Sequence, residues 1–454
     1  MDSKYLFSSV SPTKLFFIAA VPGAVSMLAS ALYQLLDGIF VGRILGDTAF
    51  AALNLAMPFV IINFALADLI GVGSSVPISI SLGKKEEKEA DNIFTCAVLL
   101  IIGAGVLVGL LLFAAAPLLI RLMGADGTFA VFAVQYLRVY ALCSPVTTIV
   151  FAMDNYLRIC GQIRGSMYLN LLMSVLSAVL EFLFLGVLGF GIWGAALATC
   201  LGMMICALLA LYPFLRGRLL LHFRRPRFSL RLIRKIVACG SPNFLNNIAG
   251  RITSILMNAI LLRMGGENAV SVYGILMYAD GFIQPLLYGM CDSLQPAVGY
   301  NWGAGSYRRV TAIERCCFTA SGILSVSSAA VLFLFPAQIA RLFIGSDSAA
   351  LLLMAEGALR LFAATYLTRW FSFAAQSYML AVEKPVFASL ISVSTALSFP
   401  VLLIAALWPL GLTGIWLNFA GTALLAAILS FFLLRLFQKE MKRRMQAASA
   451  KEGI

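Results

Sequence analysis

The sequence predicts an all-α polytopic membrane protein, with twelve transmembrane helices in two pseudo-symmetric six-helix bundles around a central cavity. Three features predict it: composition, the length of the apolar runs, and an internal repeat. Of 454 residues 61% are hydrophobic and 12% charged, where soluble domains have about 45–50% and about 25%. An ordinary soluble enzyme is excluded. Runs of some twenty or more apolar residues recur from Leu15 to Phe437, and each can cross a hydrocarbon core of about 30 Å as a helix. A β-barrel is excluded as well, because its strands alternate in polarity and are half as long.

Divided at polar, Gly and Pro punctuation, the chain gives spans at 15–42, 48–81, 93–119, 130–158, 165–187, 191–215, 235–262, 269–300, 311–340, 351–381, 386–408 and 411–437. An even number places both termini on one side. Of the 33 Lys and Arg, 25 fall in the N-terminus, every second loop and the C-terminal tail. The alternate loops hold Arg43, Arg121, Arg263 and Arg341, and Arg138, Arg251, Arg360 and Arg369 lie within spans. The positive-inside bias then makes both termini cytoplasmic, in a multi-pass protein of the cell (inner or plasma) membrane. The first span is too long for a signal-peptide core and is expected to be retained. The net charge of +13 is concentrated on the cytoplasmic side, so anionic lipid rather than nucleic acid is the expected partner; Arg216 to Lys235 reads as a basic amphipathic segment along the interface.

A shift of 220 residues aligns Pro22 with Pro242, Gly46 with Gly266, Ala49 with Ala269, Gly83 with Gly303, Arg121 with Arg341, Gly191 with Gly411 and Gly194 with Gly414. These pairs fall at matching points of two six-span sets, hence parallel repeats. The expected organisation is an N-terminal lobe over 1–215, a basic cytoplasmic linker over 216–234, a C-terminal lobe over 235–438 and a basic cytoplasmic tail over 439–454. Such duplication suits a transporter whose halves alternate access to a central cavity. Two lobes enclosing their own cleft suffice as a monomer.

The nine cysteines contain no Cys-x-x-Cys pair and His222 is the one histidine, so the cysteines are expected to be reduced packing residues, with no metal centre and no histidine-based catalysis. A Gly-x-x-x-x-Gly-Lys-Ser/Thr loop does not occur, which argues against ATP as the energy source. Neither enzymatic activity nor a cofactor is expected.

Charges within spans cost about 2.5–3.5 kcal/mol each at a helix centre on insertion scales and therefore need a partner or a task. In the first span Ser26, Ser30, Tyr33 or Gln34, and Asp37 recur at steps of three or four, which places them on one helix face; in the fifth, Asn170, Ser174, Ser177 and Glu181 do the same. Neither stripe contains a basic residue. Burial disfavours ionised carboxyls, so Asp37 and Glu181, if they face one another, can bind H⁺, or Na⁺ through oxygen ligands. The second half keeps a stripe of Asn247, Arg251, Ser254 and Asn258, but the shift carries Asp37 to Met257 and Glu181 to Val401. Cation coupling by this pair is thus expected in the first lobe alone. Asp154 with Arg158, and Glu356 with Arg360, have the i,i+4 spacing of helix-surface ion pairs. Asp280 and Asp292 would neutralise Arg251 or line a cavity for a cationic substrate, with Tyr140 and Tyr278 as aromatic candidates for that cavity.

The segments Asp37-Gly-Ile-Phe-Val-Gly, Ser81-Leu-Gly-Lys with its copy Gln295-Pro-Ala-Val-Gly-Tyr-Asn-Trp-Gly-Ala-Gly305, and Gly191-Ile-Trp-Gly-Ala-Ala-Leu-Ala-Thr199, in this order on twelve spans, resemble the multidrug and toxic compound extrusion (MATE) family over nearly the whole chain. MATE belongs to the wider multidrug/oligosaccharidyl-lipid/polysaccharide exporter superfamily. The resemblance implies a cation-coupling set of Asp37, Ser177, Glu181 and Thr199, with Ser and Glu where the family has Asn and Asp, and a hinge at Pro22. Tyr33, Gln34, Asn170 and Ser174 form the supporting stripe; Arg251, Asp280, Asp292, Tyr140 and Tyr278 are candidates for the substrate cavity. It implies a secondary active antiporter that exports small amphiphilic or cationic organic compounds, as in multidrug efflux, against H⁺ or Na⁺. A unit charge moving through 100 mV supplies about 2.3 kcal/mol. The alternative is a lipid-linked oligosaccharide or lipid flippase of the same superfamily, with Arg138, Arg251 and Arg369 lining a basic groove.

Overall fold

A computed structural model of the chain describes residues 3–124, 126–343 and 349–452; residues 453 and 454 of the expected tail lie outside them. Among the described residues all regular structure is helical: α1 (Ser3–Ser9), α2 (Pro12–Phe40), α3 (Asp47–Gly83), α4 (Glu87–Leu122), α5 (Gly127–Thr147), α6 (Ile149–Ile159), α7 (Ile163–Phe182), α8 (Ile192–Leu215), α9 (Leu230–Asp292), α10 (Gln295–Gly303), α11 (Tyr307–Leu334), α12 (Pro336–Arg341), α13 (Ala349–Ala363), α14 (Thr365–Ala381), α15 (Pro385–Val393), α16 (Phe399–Leu407) and α17 (Gly411–Glu452). Wider π-type turns follow α2 at Val41–Leu45 and α7 at Leu183–Val187, and a third joins α15 to α16 at Ser394–Ser398.

Nine helical stretches among the described residues are long and apolar enough to cross a membrane, ten with α13 and α14 joined at their 43° bend. Two are too long for one crossing. The stretch Leu230–Gly303 has 74 residues and Pro385–Lys442 has 58; at 1.5 Å per residue they would run to about 110 and about 85 Å, against a core of about 30 Å. The first breaks at Gly266 (φ 65°, ψ −160°) and the second at the turn Trp408–Leu410 before Gly411 (φ 59°). Counting each as two crossings is consistent with twelve spans.

The duplication is visible in the backbone. Gly46 (φ 85°) and Gly266 (φ 65°), Gly191 (φ 71°) and Gly411 (φ 59°), and Lys85 (φ 64°) and Gly305 (φ 73°) stand 220 positions apart and share the left-handed region. Side chains enter that region at a cost of about 1–2 kcal/mol, which is why glycine fills it in five of these six places.

The chain forms two compact units, one of Met1–Val10 with Val25–Gly240, the other of Ser11–Ala24 with Ser241–Ile454. The first has a core of small and aromatic residues around Ala52, Ala56, Tyr136, Leu137 and Ala196. The second packs Leu261, Leu276, Leu359, Phe362 and Ile415. In the second unit Gly23 passes so close to α9 that a Cβ would lie 2.2 Å from the Gly289 carbonyl oxygen; in the first, a Cβ on Gly240 would lie 1.8 Å from that of Leu69. Only glycine admits backbones at that separation.

Residues 218–229 have no regular secondary structure, and side chains of α4 hold them. Asp91 accepts hydrogen bonds from the His222 amide at 2.9 Å and from Arg224 Nε at 2.9 Å, and Asn92 accepts one from the Arg227 amide at 2.8 Å. All nine cysteines are free thiols.

Gly266→Ala is expected to lower stability by about 1–2 kcal/mol, and Lys85→Gly to raise it by up to about 1 kcal/mol. Thermal unfolding in detergent micelles should show melting points moving in opposite directions.

Candidate functional site

In the first unit α2 and α7 each carry one acid on their inward face, four residues before a π-type turn in α2 and two before one in α7. Such turns recur where a helix must re-aim side chains. Asp37 is 5% exposed and Glu181 0%. The two carboxyls are near enough for each to feel the charge of the other. Oδ1 of Asp37 and both oxygens of Glu181 are buried with no donor among the described residues, and neither acid forms an ion pair there. Two ionised carboxylates repel strongly in so dry a place; a proton shared between them, or a small cation, resolves the repulsion.

Hydroxyls surround the pair. Tyr33 Oη and Thr199 Oγ1 are 2.5 Å apart, joining α2 to α8. Tyr140 of α5 lies beside them, its ring 5.1 Å from that of Tyr136 and 6.0 Å from that of Phe64. Ser177 is buried and its Oγ has no partner. Gly202 of α8 makes room for it, since a Cβ there would lie 2.2 Å from that oxygen. The four residues expected to couple a cation, Asp37, Ser177, Glu181 and Thr199, are all buried in this unit. Tyr33 stands among them, whereas Gln34, the other choice at that step of the stripe, is exposed.

Further along α7, Ser174 donates to the Asn170 carbonyl at 3.0 Å and Asn170 Nδ2 donates to Asp154 Oδ1 at 2.7 Å. Ser166 donates to the same carboxylate oxygen, and Arg158 Nη2 pairs with Oδ2 at 2.7 Å. Asp154 and Arg158 pair at the expected i,i+4 spacing, but not on the helix surface: the arginine is buried and α7 adds two donors to the carboxylate. Glu356 and Arg360 form no ion pair among the described residues; the arginine is exposed, where solvation competes well with a contact of this kind.

Pro22 is buried within α2. Having no N–H, it leaves the turn before it one hydrogen bond short, fifteen residues ahead of Asp37.

In the second unit the acids find other partners than Arg251. Asp280 accepts from Arg369 Nη1 at 2.9 Å and from the Tyr366 hydroxyl. In the amide orientation that satisfies both, Gln284 donates to Asp280 Oδ2 at 3.1 Å and accepts from Arg369 Nη2 at 3.0 Å. Asp292 accepts from Gln295 at 2.8 Å and Ser377 at 3.0 Å. Neither acid therefore neutralises Arg251, which is exposed and near Tyr273. Of the other cavity candidates, Tyr140 belongs to the hydroxyl cluster of the first unit. Tyr278 is exposed and stacks on Phe343, ring centres 5.4 Å apart.

The sequence reading missed Tyr136, Arg369 as the partner of Asp280, and Glu314. Tyr136 and Tyr140 are one helical turn apart, a signal that could have found the first. Glu314 is buried in α11 beside Cys291 and Cys317; lying near a span end among charged neighbours, it reads as a surface residue.

The MatE family model matches the chain twice, over residues 22–183 and 242–405, so the two matches begin 220 positions apart. The multidrug export protein MepA of Staphylococcus saprophyticus is 27% identical over 442 residues, 96% of each chain. MepA of Staphylococcus aureus is 26% identical over the same length and coverage. Among solved structures, an outward-facing multidrug resistance MATE family transporter of the MOP superfamily superposes with a TM-score of 0.90 at 25% identity, covering 96% of this chain and 98% of that one. MATE in complex with MaL6 gives 0.92 at 25% identity over 98% and 100%.

Asp280→Leu alone should destabilise the second unit by about 3–5 kcal/mol, because Arg369 would be left buried without its counter-charge, while Asp280→Leu with Arg369→Met should recover most of that loss. Melting of the three proteins in detergent measures both effects.

Proposed function

The chain belongs to the MatE family, and from that premise we propose that it is a secondary active antiporter exporting amphiphilic or cationic organic compounds, as in multidrug efflux, in exchange for H⁺ or Na⁺ by alternating access. The observation that carries this reading is the carboxyl pair of Asp37 and Glu181, closed from solvent and lacking any fixed cation. Buried acids such as Asp280 and Asp91 have an arginine; this pair lacks one among the described residues and has a place for a mobile charge.

The cation enters from outside and binds the pair. One negative charge is then cancelled, the hydroxyls of Tyr33, Tyr140 and Thr199 reorient toward the remaining acceptor oxygens, and α2 responds at Pro22, its weakest turn. Release of the cation to the cytoplasm restores the repulsion between the carboxyls and returns the helix. Cargo moves outward on the complementary half of the cycle. The names of the relatives support efflux of several drugs rather than a single metabolite. Flippase activity is less well supported, because two of the basic side chains it would use are engaged otherwise: Arg369 with Asp280 at 2.9 Å and Arg138 over the Phe113 ring at 5.1 Å.

The test is export of a fluorescent organic cation from proteoliposomes under imposed pH or Na⁺ gradients. Asp37→Asn and Glu181→Gln should each reduce gradient-driven export by about a hundredfold or more, the scale on which a proton-carrying group acts, with melting temperatures close to wild type. Export that persists in both variants would remove the pair from the mechanism, and the gradient that drives the wild type names the coupling ion.

A further inference from the structure

We propose that Asp154 is the inner station of a proton path that runs along one face of α7, from the Asp37/Glu181 pair toward the end of α6. The proposal rests on the antiport reading with H⁺ as the coupling ion. Glu181, Ser177, Ser174, Asn170 and Ser166 follow one another at steps of three or four, so their side chains form a single stripe. The stripe has one hydroxyl without a partner among the described residues, and hydrogen bonds link its other members toward Asp154. Ser177 is 1% exposed with an unpartnered Oγ, Ser174 donates to the Asn170 carbonyl at 3.0 Å, and Asn170 Nδ2 donates to Asp154 Oδ1 at 2.7 Å.

Beside Asp154 and Asn170 lies a void of about 10 Å³, walled by Val150, Leu157 and Leu169 and by Ala210 of α8. That is room for one water with polar partners on both helices. Among the described residues the charged group paired with Asp154 is Arg158, at 2.7 Å; Ser166 and Asn170 donate to it from α7, and Ala210 of α8 lines the void beside it. The Asp154 side chain is 18% exposed, the first acid below Glu181 on this face that reaches solvent.

The transfer balances without any redox step. Glu181 gives its proton to Ser177 or a bridging water; each hydroxyl or water accepts one proton and passes on its own, with water spanning the helical turns where hydroxyls stand about 5–6 Å apart. Asp154 Oδ1 accepts the last proton and its carboxyl releases one to cytoplasmic water, leaving the Asp154–Arg158 pair as it was. A purely structural tie between α6 and α7 would use the same hydrogen bonds but would not care which half of the transport cycle is measured.

Two readouts on the full chain in proteoliposomes separate these roles: export of a fluorescent organic cation driven by a pH gradient, and exchange of that cation for itself at equal pH, which requires no proton release. Asp154→Asn and Asn170→Leu should each slow gradient-driven export by about tenfold or more while leaving self-exchange within about twofold, and Asp154→Glu should restore driven export. Asn170→Leu keeps the Asp154–Arg158 pair intact, so its result stands even where Asp154→Asn fails to fold. Driven export unchanged in Asn170→Leu overturns the path. So does a parallel loss of both activities in Asn170→Leu, which would mark a structural tie. A wild type that follows Na⁺ and ignores pH overturns the path together with the H⁺ reading, whereas a wild type driven by pH with Asn170→Leu unaffected overturns the path alone.

Discussion

Two carboxyl groups share a dry space with no fixed positive charge beside them, and much of the first unit is arranged around that fact. Bringing a carboxylate out of water costs several kcal/mol even after relaxation, and a second one at contact adds repulsion in a medium that screens it poorly. Three other acids avoid this situation, and Glu314, buried without an ion pair among the described residues, stands alone. Asp91 is met by Arg224, Asp154 by Arg158 and Asp280 by Arg369. Asp37 and Glu181 are therefore distinguished less by being acidic than by being left without a counter-ion, a vacancy that a mobile cation suits and an arginine would close.

The surroundings of the pair fit that role. Hydroxyls of Tyr33, Tyr140 and Thr199 can each turn from donor to acceptor, so they can follow a change of charge without a large movement. They belong to α2, α5 and α8, so a change on one acid is felt by three helices. The glycine at 202 keeps α8 close enough to α7 for Ser177 to be sealed from solvent. In the second unit the same fold position holds Met257 and Val401, and the buried polar residues there form a closed, charge-balanced network around Asp280. The two copies share a backbone and differ in electrostatics.

How much of this could be read in advance depended on the range of the interaction. Spans, repeat and the two acid stripes are local: they follow from hydrophobic run length, from glycines 220 positions apart and from the 3.6-residue period. Tyr33 and Gln34 could not be told apart, since both fall within one step of the stripe, and only helix packing turns the first inward. Tyr136 was hidden because an aromatic residue in an apolar span is by default a packing residue. Asp280 with Arg369, 89 positions apart, and Asp91 with the linker at 222 and 224 are pairings between elements, for which a single sequence has no periodicity to show. The charge of the linker points to the membrane interface, whereas its non-helical course is set by acceptors on α4 that composition does not reveal.

The division of the chain into units carries a consequence for how the molecule is assembled. Helices α2 and α9 are each cut by the boundary, near Ala24 and near Gly240, so each unit incorporates a short helical stub encoded in the other half of the sequence. A half-chain made alone would carry about a dozen apolar residues without the backbone that Gly23 fits in the whole protein. Cutting the chain at its repeat boundary would therefore split both units, so the unit of packing is not the unit of duplication.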